Sequence, residues 1–484
     1  MKKSNRLPFL FRHRFVLGYI LLIIAFAILL SFLPMVAPGG ISSEEMHSVV
    51  ESQKIDQNFI SNGQVIDLPY RAIQKLSTSV FGLSLYSIKL PSIIIAILTA
   101  LFLVLLLNRW FKSDVAIVSS ILTTLSAAFL FLAGFGTPNI MYVFWLTIIL
   151  WLGSKIIGND NTHPMLVISF AFCVAMSLYT PHLIYVALAI ALAGITHPHM
   201  RHSLKQLKIY QLIISIGVFI VIITPLVLGC IFNQTTLLQL VFTENINTFL
   251  SNTSTAFAPF FSFINAYDSV YLAPLFGLGT VALIIIGALA SIGKLFTSRN
   301  TVVSLLVLYA IIVAGLNQNA AIAIIVPISI LTAAAVESII QKWHSLFPEN
   351  PYAHIVGALP VLFLVLFING ADLSHFIFGY HYTPVVANNF NNDISLINTN
   401  LESGSTLIMS EDHQDYDFYK LLENSNGIAI AQEVPEEGER PIVSLGEPLK
   451  TDNLELKRII TSPKKLNSAR LYIYEKTTTD KQGS

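Results

Sequence analysis

Apolar residues run through this chain in unbroken stretches of bilayer-crossing length, not in the short alternations of a soluble domain. The first extends from Phe15 to about Val36, behind Lys2, Lys3, Arg6, Arg12 and Arg14. It is too long for the apolar region of a signal peptide and lacks a small-residue cleavage site, so it is expected to remain as a first helix. Further spans are predicted near 91–108, 115–134, 139–153, 164–180, 183–196, 210–232, 271–292, 301–316, 320–340 and 354–371, about eleven transmembrane helices in all. After Gly370 the pattern changes to polar sequence with strand-like pieces at Thr406–Met409 and Arg470–Tyr474, on either side of a helical pattern through Tyr416–Leu422. The chain therefore reads as an all-α polytopic membrane part over 1–372 and a small soluble α/β domain over 373–484.

Composition agrees, since 54% of the 484 residues are hydrophobic and only 12% charged, against about 25% charged in ordinary soluble domains. The formal net charge is zero, so nothing suggests a nucleic-acid partner. Position matters more than balance. With the N-terminus in the cytoplasm, alternate loops collect Arg109 and Lys112, Lys155, Arg201 with Lys205 and Lys208, Lys294 with Arg299, and Lys342. The intervening loops near 135–138, 180–182, 233–270 and 317–319 hold no Lys or Arg. This is the positive-inside pattern, and an odd span count then puts the C-terminal domain outside the plasma membrane. One outer segment breaks it: residues 37–90 keep Lys54, Arg71, Lys75 and Lys89. Cys173 and Cys230 lie far apart in apolar runs, so neither a disulfide framework nor a metal-type spacing is present.

Chemistry is expected in the external loops 37–90 and 233–270. Glu44 and Glu45 follow the first helix directly, and paired carboxylates where a helix leaves the bilayer suit a general base. A transporter would carry ionisable residues at mid-membrane, yet the predicted spans hold only Glu337, near a cytoplasmic end. An inactive membrane scaffold with a partner-binding tail is the other alternative.

Four segments fall in one order: Glu44-Glu45-Met46-His47; Asp67-Leu68-Pro69-Tyr70; Phe81-Gly82-Leu83-Ser84 with Lys89-Leu90-Pro91-Ser92; and Gly136-Thr137-Pro138-Asn139. Together they resemble the protein O-mannosyltransferases and their bacterial relatives, GT-C glycosyltransferases that use polyprenyl-phosphate sugars. The likeness is good over 15–150, loose over the later helices and absent from the tail. Two positions depart from the family: Glu44 stands where an Asp is usual, and Asn139 replaces a second loop acid. The resemblance implies transfer of a sugar from a polyprenyl phosphate to a protein, lipid or glycan acceptor on the outer face, with inversion. Glu44 is then the expected base and Glu45 its substitute, while His47, Arg71, Lys89, Asn139 and His182 are expected to bind substrate. Arg71 and Lys89 are the candidate phosphate clamp. No cofactor is called for, and the residues present do not support a divalent metal.

Overall fold

A computed structural model describes residues 14–157, 163–196, 198–241, 248–262, 271–293, 297–348 and 351–390, and in the C-terminal part 394–401, 405–411, 413–426, 428–435, 441–445, 448–449, 454–461 and 470–476. The N-terminal basic residues before Arg14 and Lys294 lie outside them.

The membrane part is a helical bundle. In chain order it runs α1 (Arg14–Val36), α2 (Ser43–Gln53), α3 (Leu68–Phe81), α4 (Leu85–Trp110), α5 (Ser113–Thr124), α6 (Ala127–Gly134), α7 (Ile140–Ile157), α8 (Pro164–Ser177) and α9 (Ile184–Thr196). It continues through α10 (Pro198–Lys205), α11 (Ile209–Phe232), α12 (Gln234–Val241), α13 (Phe249–Phe261), α14 (Leu278–Ile292), α15 (Ser298–Leu316), α16 (Ile325–Leu346) and α17 (Pro351–Tyr382). Each predicted span overlaps a helix, although 271–277 is not helical and the count of eleven spans is not reached among the described residues. Among the described residues, seven helices are long and apolar enough to cross a bilayer, and α5 with α6, bent by 59° at their junction, would make an eighth. Shorter α8 and α14 are equally apolar. Large apolar side chains face outward along α1, α11 and α17, among them Phe32, Val221 and Phe367, the last 76% exposed. Water would not tolerate such faces and acyl chains would, so the chain is an integral membrane protein.

Three expectations change. The last span does not stop near 371 but continues to Tyr382, because Phe376, Phe378 and Tyr380 prolong its apolar character past Asp372. Asp372 is accordingly a buried acid inside a span, where the sequence suggested only Glu337 near one end, and Lys89 lies buried in the second turn of α4. Asp372 accepts from Thr280 Oγ1 at 3.4 Å at the start of α14, so it serves orphan donors at a helix N-terminus. The segments 37–90 and 233–270, predicted as loops, also carry helices among their described residues, α2 and α3 in the first and α12 and α13 in the second.

Side-chain size sets the helix crossings. At Gly287 of α14 an added Cβ would meet the Leu331 carbonyl oxygen of α16 at 1.9 Å. Gly287→Val therefore forces two membrane helices apart, and a loss of about 1–3 kcal/mol is expected from overpacking. It is read as a lower thermal midpoint in detergent, and an unchanged midpoint would contradict this crossing.

Beyond α17 come α18 (Pro384–Ala387), α19 (Ile394–Asn400), β1 (Thr406–Ile408), α20 (Tyr416–Asn426), β2 (Ala429–Ala431), β3 (Ile442–Leu445), β4 (Leu454–Ile460) and β5 (Leu471–Lys476). The strands form one mixed sheet in the order β2-β1-β3-β5-β4, with β1 parallel to both neighbours and β5 antiparallel to both of its own. This domain does not stand apart. Its core of Ile394, Leu407, Phe418 and Leu422 is continuous with Met46, Val49 and Val50 of α2. Asn398 Nδ2 donates to the Leu83 carbonyl at 3.0 Å, and Ser43 Oγ bonds Asp415 Oδ2 at 3.2 Å.

Candidate active site

The loops that the charge pattern assigns to one side meet at one end of the bundle, with α2 at their centre. Ser42 starts α2 by a capping box: its hydroxyl accepts from Glu45 N, and its own N–H donates to Glu45 Oε2 at 2.9 Å. That sequence-local device gives the helix three faces. Met46, Val49 and Val50 turn into the C-terminal domain. Glu45, Ser48 and Ser52 turn inward and are buried. Glu44, His47 and Glu51, at i, i+3 and i+7, form the outer face.

The inward face is a rigid polar network. Glu45 is fully buried; its Oε1 accepts from Gly136 N at 2.7 Å and lies 3.7 Å from Lys89 Nζ, an ion pair rather than a hydrogen bond. The Lys89 ammonium also lies 5.8 Å from the Phe390 ring centroid. Gln74 of α3 accepts from Ser48 and Ser52 and donates to the Gly136 carbonyl at 3.0 Å. Ser92 donates to Phe135 O at 2.6 Å and pairs with the Tyr70 hydroxyl. The loop 135–137 is thus fixed from three sides, and packing at Gly136 is tight: an added Cβ would come to 3.0 Å from the Ile88 carbonyl oxygen and 3.1 Å from Glu45 Oε1. Both Glu45 oxygens are engaged, so this carboxylate is a brace.

Glu44, its neighbour, is the opposite case. Its side chain is exposed, yet desolvation by the surrounding protein, followed by the charge of Glu45, raises its pKa above the ordinary glutamate value. Its charge reaches the phenol of Tyr271, which burial first and Glu44 second push upward. A carboxylate that is accessible, desolvated and held on a braced helix suits a general base.

The remaining expected residues are distributed as follows. Asn139 is buried at the start of α7, just after the clamped loop. His47 is exposed one turn from Glu44, and its charge acts on Glu51. Arg71, half-buried, pairs with Glu51 at 3.3 Å. His182 lies apart from this group, buried on the 179–183 strap, with its backbone N–H donating to Leu240 O at 2.9 Å. The four cations of the first loop all have protein partners. Lys54 and Arg71 share Glu51, Lys75 donates to the carbonyls of Gln53 and Ile55 at the end of α2, and Lys89 faces Glu45. Sequence reasoning missed Gln74 and named Ser92 only within a motif. The signal for Gln74 was polar residues at helical core spacing, Tyr70, Gln74, Ser77 and Thr78 on α3. Among the described residues no three His, Cys, Asp or Glu side chains gather as a metal-binding group.

This helical membrane bundle, with its polar site under paired loops and a small mixed-sheet domain beside it, shares its fold with solved proteins. The fold matches the oligosaccharyltransferase of Archaeoglobus fulgidus tethered with an acceptor peptide containing the NVT sequon, at TM-score 0.51 and 11% identity; the match covers 87% of this chain and 64% of that one. The chain thus spans less than two thirds of that enzyme's length. ArnT from Cupriavidus metallidurans bound to undecaprenyl phosphate is 12% identical over 95% of this chain and 98% of its own, with a TM-score of 0.48. Residues 69–228, about a third of the chain, match the family described as dolichyl-phosphate-mannose-protein mannosyltransferase. No curated protein matches the sequence.

Proposed function

We propose that the chain is a glycosyltransferase that moves a sugar from a polyprenyl-phosphate donor to an acceptor hydroxyl at the outer membrane face, with Glu44 as the general base. The observation that carries this reading is the division of labour on α2: Glu45 is locked beneath the helix while Glu44 remains accessible and desolvated. The matched family's description, naming a dolichyl-phosphate-linked mannose and a protein acceptor, supports the donor class.

The chemistry asks for few groups. The acceptor oxygen attacks the anomeric carbon as Glu44 takes its proton, a new C–O bond forms, and the bond to the phosphate oxygen breaks with its electron pair leaving on the phosphate. Displacement from the opposite face inverts the anomeric centre. The leaving group is already good, so a positive field matters more than an acid. Arg71 is the half-exposed cation best able to meet the phosphate, with bidentate donors that Glu51 uses only in part. Lys89, buried behind Glu45, adds its charge to the field and not a contact.

Two measurements test the reading. Purified protein should gain thermal stability with polyprenyl-phosphate-linked sugars and not with the free sugars, and Arg71→Gln should weaken that gain about tenfold or more in apparent affinity. Absence of stabilisation by any lipid-linked donor would remove the donor class. Reporter fusions after Lys208 and Ser484 should report opposite sides of the membrane, and a shared side would overturn the proposed orientation.

A further inference from the structure

Asp67 has no part in the chemistry above, yet it is unusual on three counts. It occupies the N-cap of α3 but its side chain caps nothing. Its backbone sits at φ 52°, a left-handed conformation that is strained for any residue with a side chain and least so for Asn and Asp. Its Oδ1 is buried without a hydrogen-bond partner. Asp67 N donates to Tyr179 O at 2.8 Å, which stitches the start of α3 to the 179–183 strap. The strap repeats these features. Thr180 buries its Oγ1 against the Asp67 carboxyl, the one group that engages it. His182, the other non-glycine residue with positive φ among the described residues, buries both ring nitrogens unpartnered. Burial pushes the Asp67 carboxyl up to about 6 and the His182 ring down to about 4. Polar atoms so poorly satisfied on two stitched segments are costly to folding, and native proteins keep such groups where a ligand completes them.

We propose that Asp67 and Thr180, with His182 on the same strap, form the subsite that grips hydroxyl groups of the transferred sugar, an inference that rests on the glycosyl-transfer reading. The atom set selects the class. It mixes acceptors, in Asp67 Oδ1, with groups that both donate and accept, in Thr180 and the neutral imidazole of His182. A phosphate or uronic carboxylate would face Asp67 and be repelled, whereas neutral hydroxyls supply a donor and an acceptor each.

The test uses the purified full chain with polyprenyl-phosphate-linked mannose, glucose and glucuronic acid as probes. Turnover is expected with a neutral hexose and not with the uronic acid. Asp67→Asn, which keeps the left-handed backbone accessible, should raise KM for the accepted donor at least tenfold with kcat within a few-fold, and Thr180→Val should raise it several-fold. Neither should lower the thermal midpoint, and Asp67→Asn should raise it, since a buried charge is removed. A structural brace would lose stability on the same change. An active wild type whose KM is unmoved in both variants, or whose KM change comes with a fallen thermal midpoint, overturns this subsite alone. A preference for the uronic acid donor does so too. A wild type inactive with every donor overturns the glycosyl-transfer reading and the subsite with it.

Discussion

Glu44→Gln is expected to lower kcat by about 10²–10⁴-fold, the usual contribution of a positioned general base, while donor affinity and thermal midpoint stay near those of the wild type. The amide keeps the size and much of the polarity of the side chain, so binding and folding lose little. The proton acceptor is lost. Glu44→Asp should also be impaired, because the shorter side chain withdraws the carboxylate from a backbone fixed by the Ser42–Glu45 capping box. The pH profile gives a second readout. The base works ionised and its pKa is raised by desolvation and by Glu45, so kcat rises with pH along an acid limb centred above the ordinary glutamate value of about 4.3. That limb should vanish in Glu44→Gln. A Glu44→Gln enzyme with normal kcat, beside an inactive but stable Glu45→Gln, would transfer the base to Glu45.

Glu45→Ala should act on stability and not on a single rate. Truncation leaves the buried Lys89 ammonium without its counter-charge, the Gly136 N–H without its acceptor and α2 without half its capping box. Breaking a buried pair from one side costs about 3–5 kcal/mol, and loss of the cap about 1 kcal/mol more. Thermal midpoint and yield should both fall. Removing both charges in Glu45→Gln with Lys89→Met should recover much of the loss, because the amide still accepts from Gly136 and no buried charge is left alone. A double variant as unstable as Glu45→Ala would show that the charge pair is not what the loop depends on.

Much of this architecture was legible in the sequence. The spans follow from apolar run length alone, and the alternation of Lys and Arg separated the loops into two sets that the fold brings together at opposite ends: Glu45 with Gly136 and Asp67 with Tyr179 at one, Arg299 with Glu337 and with Trp110 O at the other. Glu44 and Glu45 were visible as a pair, but their roles were not. Which one is buried depends on the register of α2 between the C-terminal domain and α3, a tertiary matter. The cations of the first loop looked anomalous by sidedness, and their partners on α2 were hidden because Glu51, Gln53 and Ile55 become neighbours only when α3 packs on α2. Asp67 appeared only as part of a motif. Its left-handed backbone and buried carboxyl are properties of the packed 179–183 strap, which no local pattern announces.

The measurement that tests the central claim most directly is release of polyprenyl phosphate from a radiolabelled polyprenyl-phosphate sugar, followed in parallel for the wild type and Glu44→Gln at equal donor occupancy. The account predicts release coupled to an inverted glycosidic product in the wild type and a rate lower by about 10²-fold or more in Glu44→Gln. Equal release by the two proteins, or bound donor that neither protein turns over, would contradict it.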